Sequence, residues 1–154
     1  MKVLLIGDDP YVMKDISSSL RSGWSDAAFI SAAMGSKGID LVETETPDLV
    51  MAEFCLPDMR CVDLVARIRE VSCVPLIVLD GEATPMDRAE LLEAGADRCF
   101  VKPYWPAEIR ARVKALVRRT GGDGVKPGPV PFAVGNREPV FVIDHCLYPA
   151  LLPA

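Results

Sequence analysis

Pro-Asp-Leu-Val-Met-Ala-Glu, residues 47–53, is a short apolar run that ends on a carboxylate. The run does not alternate polar and apolar side chains, which predicts a strand that is covered on both faces. Strands of this kind belong to parallel sheets that carry helices on each side. Because such sheets place their sites beyond the carboxyl ends of the strands, Glu53 is the first candidate functional residue.

The segments on either side of this strand repeat a strand-then-helix pattern. Strands are predicted at residues 2–6, 27–30, 48–52, 74–79 and 98–101, and helices at residues 36–42 and 62–71, from Pro10, from Thr84-Pro85 to Gly95, and from Pro106. Five such units in series predict an α/β fold, a five-stranded parallel sheet that is doubly wound in the flavodoxin-like manner. This order places Asp8, Glu53, Asp80 and Lys102 at the carboxyl ends of the strands.

Composition narrows the class of protein. The chain has 154 residues, which is enough for one domain of about 120 residues and a short C-terminal extension. Its net charge of -5 argues against a non-specific nucleic-acid binder, which would be basic. It contains no apolar run long enough to span a membrane and no signal-peptide pattern, so we expect a cytoplasmic protein without membrane contact.

The five cysteines do not form a metal-binding pattern. Their number is odd and no Cys-x-x-Cys motif occurs. Most of them lie in or beside apolar segments, so we expect buried free thiols in a reducing compartment.

A change of composition divides the chain. Residues 1–119 carry the repeated units and form one predicted domain. Residues 120–131 are rich in glycine and proline, which indicates a linker. Residues 132–154 contain two short β-like runs, at 132–134 and 140–143, and end on an apolar stretch. We interpret this tail as the start of a second domain that is cut short.

Several motifs follow Glu53 in a recognisable order. They are a Pro-Asp-Met turn at residues 57–59, an apolar run at 75–79, and the segment EAGADRCFVKP at 93–103. Together they resemble the receiver domain of two-component response regulators, which has the CheY-like fold, over residues 1–119. The resemblance implies a non-enzymatic role in phosphorelay signal transduction. It also implies that Glu53 stands where the family has the aspartate that accepts a phosphoryl group.

The resemblance implies a magnesium site that is incomplete here. A receiver binds the cation with an acidic pair, the acceptor aspartate and a backbone carbonyl. By alignment these fall on Gly7 and Asp8, on Glu53, and on the carbonyl of Cys55. The first ligand is therefore missing, although Asp9 is adjacent and is a candidate substitute. We expect no cofactor, or at most weak magnesium binding.

Two further positions complete the predicted pocket. Asp80 stands where the family has a hydroxyl residue, and Lys102 is retained. We expect Lys102 to pair with Glu53, Asp80 or both, because buried carboxylates require a cation. Glutamate is also longer than aspartate by one C–C bond, about 1.5 Å. These departures indicate a pocket that signals without phosphorylation.

Other interpretations of the pocket stay open. One is that its carboxylates only cap helices and loops. Another is conventional phosphorylation, on Glu53 or on a neighbour such as Asp58 or Asp9. A third is that Glu53 mimics phospho-aspartate and locks an active dimer.

Residues 106–119 are typical of the winged-helix (OmpR/PhoB-like) subfamily. The resemblance implies a homodimer through the fourth helix, fifth strand and fifth helix, in which Arg88 of one subunit pairs with Glu108 of the other. Arg98 stands where an acid would meet Arg112, and Asp97 is a candidate to compensate. The tail is similar to the small antiparallel sheet that opens a winged-helix domain, but it brings no recognition helix.

We therefore interpret the chain as an atypical receiver that controls dimerisation and transcriptional output. Its DNA contacts would come only through an output domain absent from this sequence, and its inputs would be a sensor kinase or a small-molecule ligand. The alternatives are a conventional magnesium-dependent phospho-acceptor and a stand-alone protein-interaction adaptor.

Overall fold

The computed structural model describes residues 1–119 in full and, beyond them, the backbone of three short strands. Residues 1–119 form five strands and five helices that alternate along the chain. The strands are β1 Lys2–Ile6, β2 Ala28–Ala32, β3 Leu49–Glu53, β4 Leu76–Asp80 and β5 Arg98–Val101, and the helices are α1 Pro10–Arg21, α2 Gly35–Glu45, α3 Cys61–Val71, α4 Pro85–Ala94 and α5 Pro106–Arg119.

The five strands form one parallel sheet in the order β2-β1-β3-β4-β5. Helices α1 and α5 pack on one face, and α2, α3 and α4 pack on the other. The predicted α/β fold class is confirmed. Within the described part of the chain, no helix combines the length and the apolar character that crossing a membrane requires.

Strand β3 shows why its sequence does not alternate. Val50 and Ala52 face the helices α2 and α3, while Leu49 and Met51 face α1 and α5. Every residue of the strand is buried, including Glu53 at its end. An apolar side chain is therefore required on both faces, as the continuous run predicts.

The ends of α4 follow its sequence signals. Thr84 and Asp87 form a reciprocal capping box at the first turn, and Gly95 ends the helix in the left-handed region with φ 120°. Strand β4 begins at Leu76, two residues later than predicted. Pro75 has no N–H to donate to a ladder, and the N–H of Val74 instead bonds the hydroxyl of Ser72 at 3.1 Å.

The described tail strands form a second, antiparallel sheet. They are β6 Val130–Phe132, β7 Val140–Ile143 and β8 Cys146–Pro149, in that spatial order. The strand predicted at 140–143 is confirmed as β7. The strand predicted at 132–134 begins two residues earlier, as β6, and β8 was not predicted. Most of the predicted linker, residues 120–129, lies outside the described residues.

The cysteines only partly match expectation. Cys55, Cys61 and Cys99 are free thiols, of which Cys61 is buried and Cys55 is exposed. Burial raises the pKa of the Cys61 thiol to about 12, so it stays protonated at neutral pH. Cys73 is disulfide-bonded, so the prediction of free thiols is wrong there.

Candidate functional site

A cavity of about 220 Å³ lies at the carboxyl ends of the sheet strands. Four predicted pocket residues line it, namely Asp8, Asp9, Glu53 and Lys102. The fifth, Asp80, is the last residue of β4 and is only 1% exposed. The topology therefore brings together the residues that the sequence places at the strand ends.

The Glu53 side chain turns back toward the loop that follows β1. Its Oε2 accepts hydrogen bonds from the backbone N–H groups of Asp8, at 3.1 Å, and Asp9, at 3.4 Å. Its Oε1 is buried and has no hydrogen-bond partner among the described residues. Burial raises the pKa of Glu53 above its ordinary value, although these two hydrogen bonds act against the shift. The Glu53 carboxylate is thus bound to the backbone N–H groups of the loop that follows β1.

Gly7 makes room for this arrangement. A Cβ atom on Gly7 would overlap the Glu53 carboxylate and would lie 2.6 Å from the Cγ atom of Glu53. The carboxylate therefore occupies the space that a side chain at residue 7 would fill. The two departures from the family pattern, a missing acid at Gly7 and an extra methylene at Glu53, are complementary. Sequence reasoning identified both but not their contact.

The neighbouring carboxylates have different environments. Asp9 is the N-cap of α1, and its Oδ1 accepts from the N–H groups of Tyr11, at 2.9 Å, and Val12, at 3.4 Å. Asp8 is exposed, and its side chain makes no hydrogen bond within residues 1–119.

This arrangement does not fit a magnesium ion. Gly7 supplies no ligand, the Glu53 carboxylate is bound to backbone N–H groups, and Asp9 caps a helix. Among these expected ligand positions, only Asp8 has a carboxylate that accepts no hydrogen bond within residues 1–119, whereas a magnesium site needs several oxygen ligands in octahedral geometry. In the part of the chain that the structure describes, no group of three or more histidine, cysteine or acidic residues is placed to hold a metal.

Asp80 organises the loop between β4 and α4. Its Oδ1 accepts from the N–H of Glu82 at 2.9 Å and from the N–H of Ala83, and its Oδ2 pairs with Nη1 of Arg88 at 3.2 Å. The predicted ion pair of Lys102 with Glu53 or Asp80 is wrong, because within residues 1–119 Lys102 forms no ion pair. Arg88 reaches back from the first turns of α4 and supplies the counter-charge instead.

Tyr104 is a cavity residue that sequence reasoning missed. Its hydroxyl donates to the backbone carbonyl of Asp80 at 3.3 Å. Burial raises its pKa, and the charges of Asp80 and Glu53 act in the same direction. Its position two residues after Lys102, beyond the end of β5, is the signal that could have identified it.

Asp58 also acts as a helix cap. Its carboxylate oxygens accept from the N–H groups of Gly35 at 2.8 Å and Ser36 at 3.0 Å, which begin α2. These bonds lower the pKa of Asp58. The turn after β3 is thereby fixed to α2.

The family profile of the response regulator receiver domain matches residues 3–114. The chain belongs to this family. The receiver is similar in fold to a two-component response regulator from Clostridium difficile, at 23% identity and a TM-score of 0.72, over 78% of this chain and 98% of that one. It is also similar to the BeF3-activated N-terminal receiver domain of RstA from Klebsiella pneumoniae, at 27% identity and a TM-score of 0.70, over 77% and 99% of the two chains.

Sequence relatives of the receiver are transcription regulators by name. The DNA-binding response regulator MtrA of Mycolicibacterium smegmatis is 35% identical over 118 residues, which is 77% of this chain and 51% of the relative. The alkaline phosphatase synthesis transcriptional regulatory protein PhoP of Bacillus subtilis is 31% identical over 121 residues, 77% of this chain and 49% of the relative. The chain therefore spans about half the length of the relatives it matches.

The predicted dimer-face residues of the receiver all have partners within the chain. Arg88 pairs with Asp80, and Glu108 pairs with Arg112 one helical turn away at 2.8 Å. Asp97 pairs with Arg69 at 3.0 Å, and its carboxylate also accepts from the N–H of Leu76. The side chain of Asp97 is only 9% exposed. The dimer itself stays a prediction, but its expected charges are already paired.

Proposed function

We propose that this chain is an atypical, non-enzymatic receiver that controls dimerisation and transcriptional output without phosphorylation at residue 53. The observation that carries the proposal is the commitment of the Glu53 carboxylate to the N–H groups of Asp8 and Asp9, in the space beside Gly7. In this conformation the side chain at the acceptor position is part of the packed interior.

The chemistry of phosphoryl transfer supports this view. Transfer depends on an in-line acceptor oxygen and on cations that neutralise the developing charge. Here Oε2 of Glu53 is hydrogen-bonded to the backbone and Oε1 is buried. Asp80 adds a buried negative charge where the family has a hydroxyl, and Arg88 already neutralises it. We therefore propose no cofactor and no magnesium-dependent step.

The alternative acceptors are also poorly suited. Asp9 and Asp58 each cap a helix through two backbone N–H groups. Phosphorylation would convert either carboxylate into an acyl phosphate, which is a weaker acceptor for these N–H groups. The phospho-mimic interpretation has little support, because Glu53 turns toward the loop after β1 and makes no ion pair with Lys102 in residues 1–119.

Dimerisation through α4, β5 and α5 is supported by the character of that surface. Large apolar side chains are exposed on these elements and the turn between them: Met86 at 73%, Leu92 at 49%, Val101 at 53% and Trp105 at 66%. A second copy of the chain would cover them. By analogy with the DNA-binding relatives, we propose that DNA contact is made by an output domain. From membership of the receiver family we further propose a cytoplasmic location and input from a sensor kinase or a small molecule.

Intact-mass spectrometry after incubation with acetyl phosphate and magnesium tests the proposal. The native chain is expected to gain no phosphoryl group. A Gly7→Asp, Glu53→Asp, Asp80→Thr variant, which restores the family pattern, is expected to gain one. The same triple variant with Asp8→Asn added is the matched control and should lose the adduct with its metal ligand. A stoichiometric adduct on the native chain would contradict the proposal.

A further inference from the structure

The ion pair between Asp80 and Arg88 connects the strand ends to the surface of α4. Nη1 of Arg88 lies 3.2 Å from Oδ2 of Asp80 and 3.2 Å from the carbonyl oxygen of Ala83. We propose that Asp80 holds Arg88 inside the receiver and thereby restrains dimerisation, and that loss of this pair strengthens the dimer. This inference rests on the proposed function, since it concerns the same α4–β5–α5 surface.

Asp80 holds Arg88 firmly because its carboxylate is buried. The side chain of Asp80 is 1% exposed, and its Oδ2 has no partner among residues 1–119 other than Arg88. A buried carboxylate that loses its counter-ion is strongly destabilised. Lys102 does not replace Arg88, because it forms no ion pair in that same part of the chain. Breaking the Asp80–Arg88 ion pair is therefore unfavourable, because it leaves the buried Asp80 carboxylate without a counter-ion.

Arg88 also belongs to the predicted α4–β5–α5 dimer surface, so breaking its pair with Asp80 affects that surface. Arg88 lies near the start of α4, and its side chain is 32% exposed. Its guanidinium is drawn back across the β4–α4 loop, and the charge of Asp80 offsets its own. A carboxylate on another subunit would consequently meet a weakened and retracted charge.

The expected partner of Arg88 is held less firmly. Glu108 pairs with Arg112 on the same helix, and both side chains are about half exposed, at 49% and 47%. Exposed pairs of this kind contribute little free energy and open readily. To form an intersubunit contact with Glu108, Arg88 must first leave Asp80. The free energy of breaking the buried Asp80–Arg88 pair therefore limits the strength of that contact.

The dimer dissociation constant of the 154-residue chain, from sedimentation equilibrium, tests the inference. Asp80→Asn keeps an oxygen for the N–H groups of Glu82 and Ala83 but removes the charge that holds Arg88. We expect it to dimerise about threefold to tenfold more tightly, because a two-fold dimer would contain the Arg88–Glu108 contact twice and each exposed pair contributes about twofold to threefold. Arg60→Gln is the matched control, since it removes another ion pair of α4, with Glu90, and should change nothing.

A double variant shows whether Arg88 carries the effect. In an Arg88→Gln background, Asp80→Asn should bring no gain in dimerisation. Asp80→Ser, which also retains an acceptor without charge, serves as a second release variant, with the same expected gain, if Asp80→Asn does not fold.

The outcomes separate this inference from the proposed function. A native dimer that Asp80→Asn leaves unchanged or weakens would overturn the inference alone. Monomers for every variant would overturn both the inference and the proposed dimerisation. A phosphoryl adduct on the native chain would overturn the phosphorylation-independent function but not the role of Asp80.

Discussion

The carboxylate of Glu53 fills the space next to Gly7 in which a side chain at residue 7 would stand. In this position it accepts hydrogen bonds from the two residues that follow Gly7, Asp8 and Asp9. Loss of the side chain at residue 7 thus permits the longer side chain at residue 53. A substitution at either residue alone leaves an overlap or a void, so we expect their effects on stability to be coupled.

Gly7→Ala is expected to destabilise the chain by about 1–3 kcal/mol, because its methyl group overlaps a buried side chain. The φ of Gly7 lies outside the left-handed region, so backbone strain is not the cause. In a Glu53→Asp background the shorter side chain can rotate its carboxylate away from residue 7, so the cost of Gly7→Ala should fall. Urea unfolding of the four chains in this cycle measures the coupling.

Gly23→Ala is the matched control for that cycle. The atoms nearest to its Cβ would be those of the flexible Arg110 side chain, at 3.2 Å, and the Leu20 carbonyl oxygen, at 3.7 Å. It should cost less than Gly7→Ala and show no coupling to Glu53→Asp. Additive effects of Gly7→Ala and Glu53→Asp would contradict the complementary packing.

Glu53→Gln is expected to stabilise the chain in a pH-dependent manner. Burial raises the pKa of Glu53 above its ordinary 4.5, so the unfolded chain ionises more readily than the folded one. The native chain therefore loses stability as the pH rises from 4.5 through the raised pKa. Glutamine keeps an acceptor for the two N–H groups and does not ionise, so this loss should be absent.

Melting temperatures of the native chain and Glu53→Gln, compared from about pH 8 to about pH 4, measure this effect. The advantage of the variant should be largest at the high end and should shrink as the pH falls. A difference that stays constant over this range would show that Glu53 is ionised equally in the folded and unfolded chains.

Asp97 is expected to act on stability and not on dimerisation. Its partner Arg69 is 15% exposed and also donates to the carbonyl oxygens of Gly95, Ser72 and Val74. Asp97→Asn leaves that buried guanidinium without a counter-charge, which typically costs about 3–5 kcal/mol. Urea unfolding measures the loss of stability. The dimer dissociation constant of the folded variant, from sedimentation equilibrium, should match that of the native chain.

The exposed pair of Arg60 and Glu90 provides the comparison. Arg60→Gln should cost no more than about 1 kcal/mol, because both side chains are more than half exposed. If Asp97→Asn instead weakened the dimer and left stability intact, Asp97 would belong to the dimer face that the sequence predicts.

The fold could be predicted from the sequence because its signals are local. The apolar run at β3, the capping box at Thr84 and the left-handed Gly95 each specify one element without reference to the rest. The order of strands and helices then restricts the topology. The start of β4 was missed because Pro75 has no N–H to donate and the N–H of Val74 bonds Ser72 instead, which are details of backbone hydrogen bonding.

The site was predicted less well because its ion pairs depend on loop geometry. The sequence places Asp80 and Lys102 at neighbouring strand ends, which suggested that they pair. The loop after β4 instead turns α4 so that Arg88, eight residues along the chain, reaches Asp80. The contact of Gly7 with Glu53 likewise depends on a side-chain direction that residue types alone do not specify.

Magnesium binding is expected to return when residues 7 and 53 are both changed to the family pattern. Gly7→Asp with Glu53→Asp supplies a second acidic ligand beside Asp8 and withdraws the longer side chain from its space. Magnesium at ten times its dissociation constant should then stabilise the double variant by about 1.4 kcal/mol. Thermal melts with and without magnesium measure this shift. Gly7→Asp alone should show no such shift, because its side chain would collide with Glu53. An equal shift in the native chain would mean that Glu53 leaves the backbone N–H groups to bind the cation.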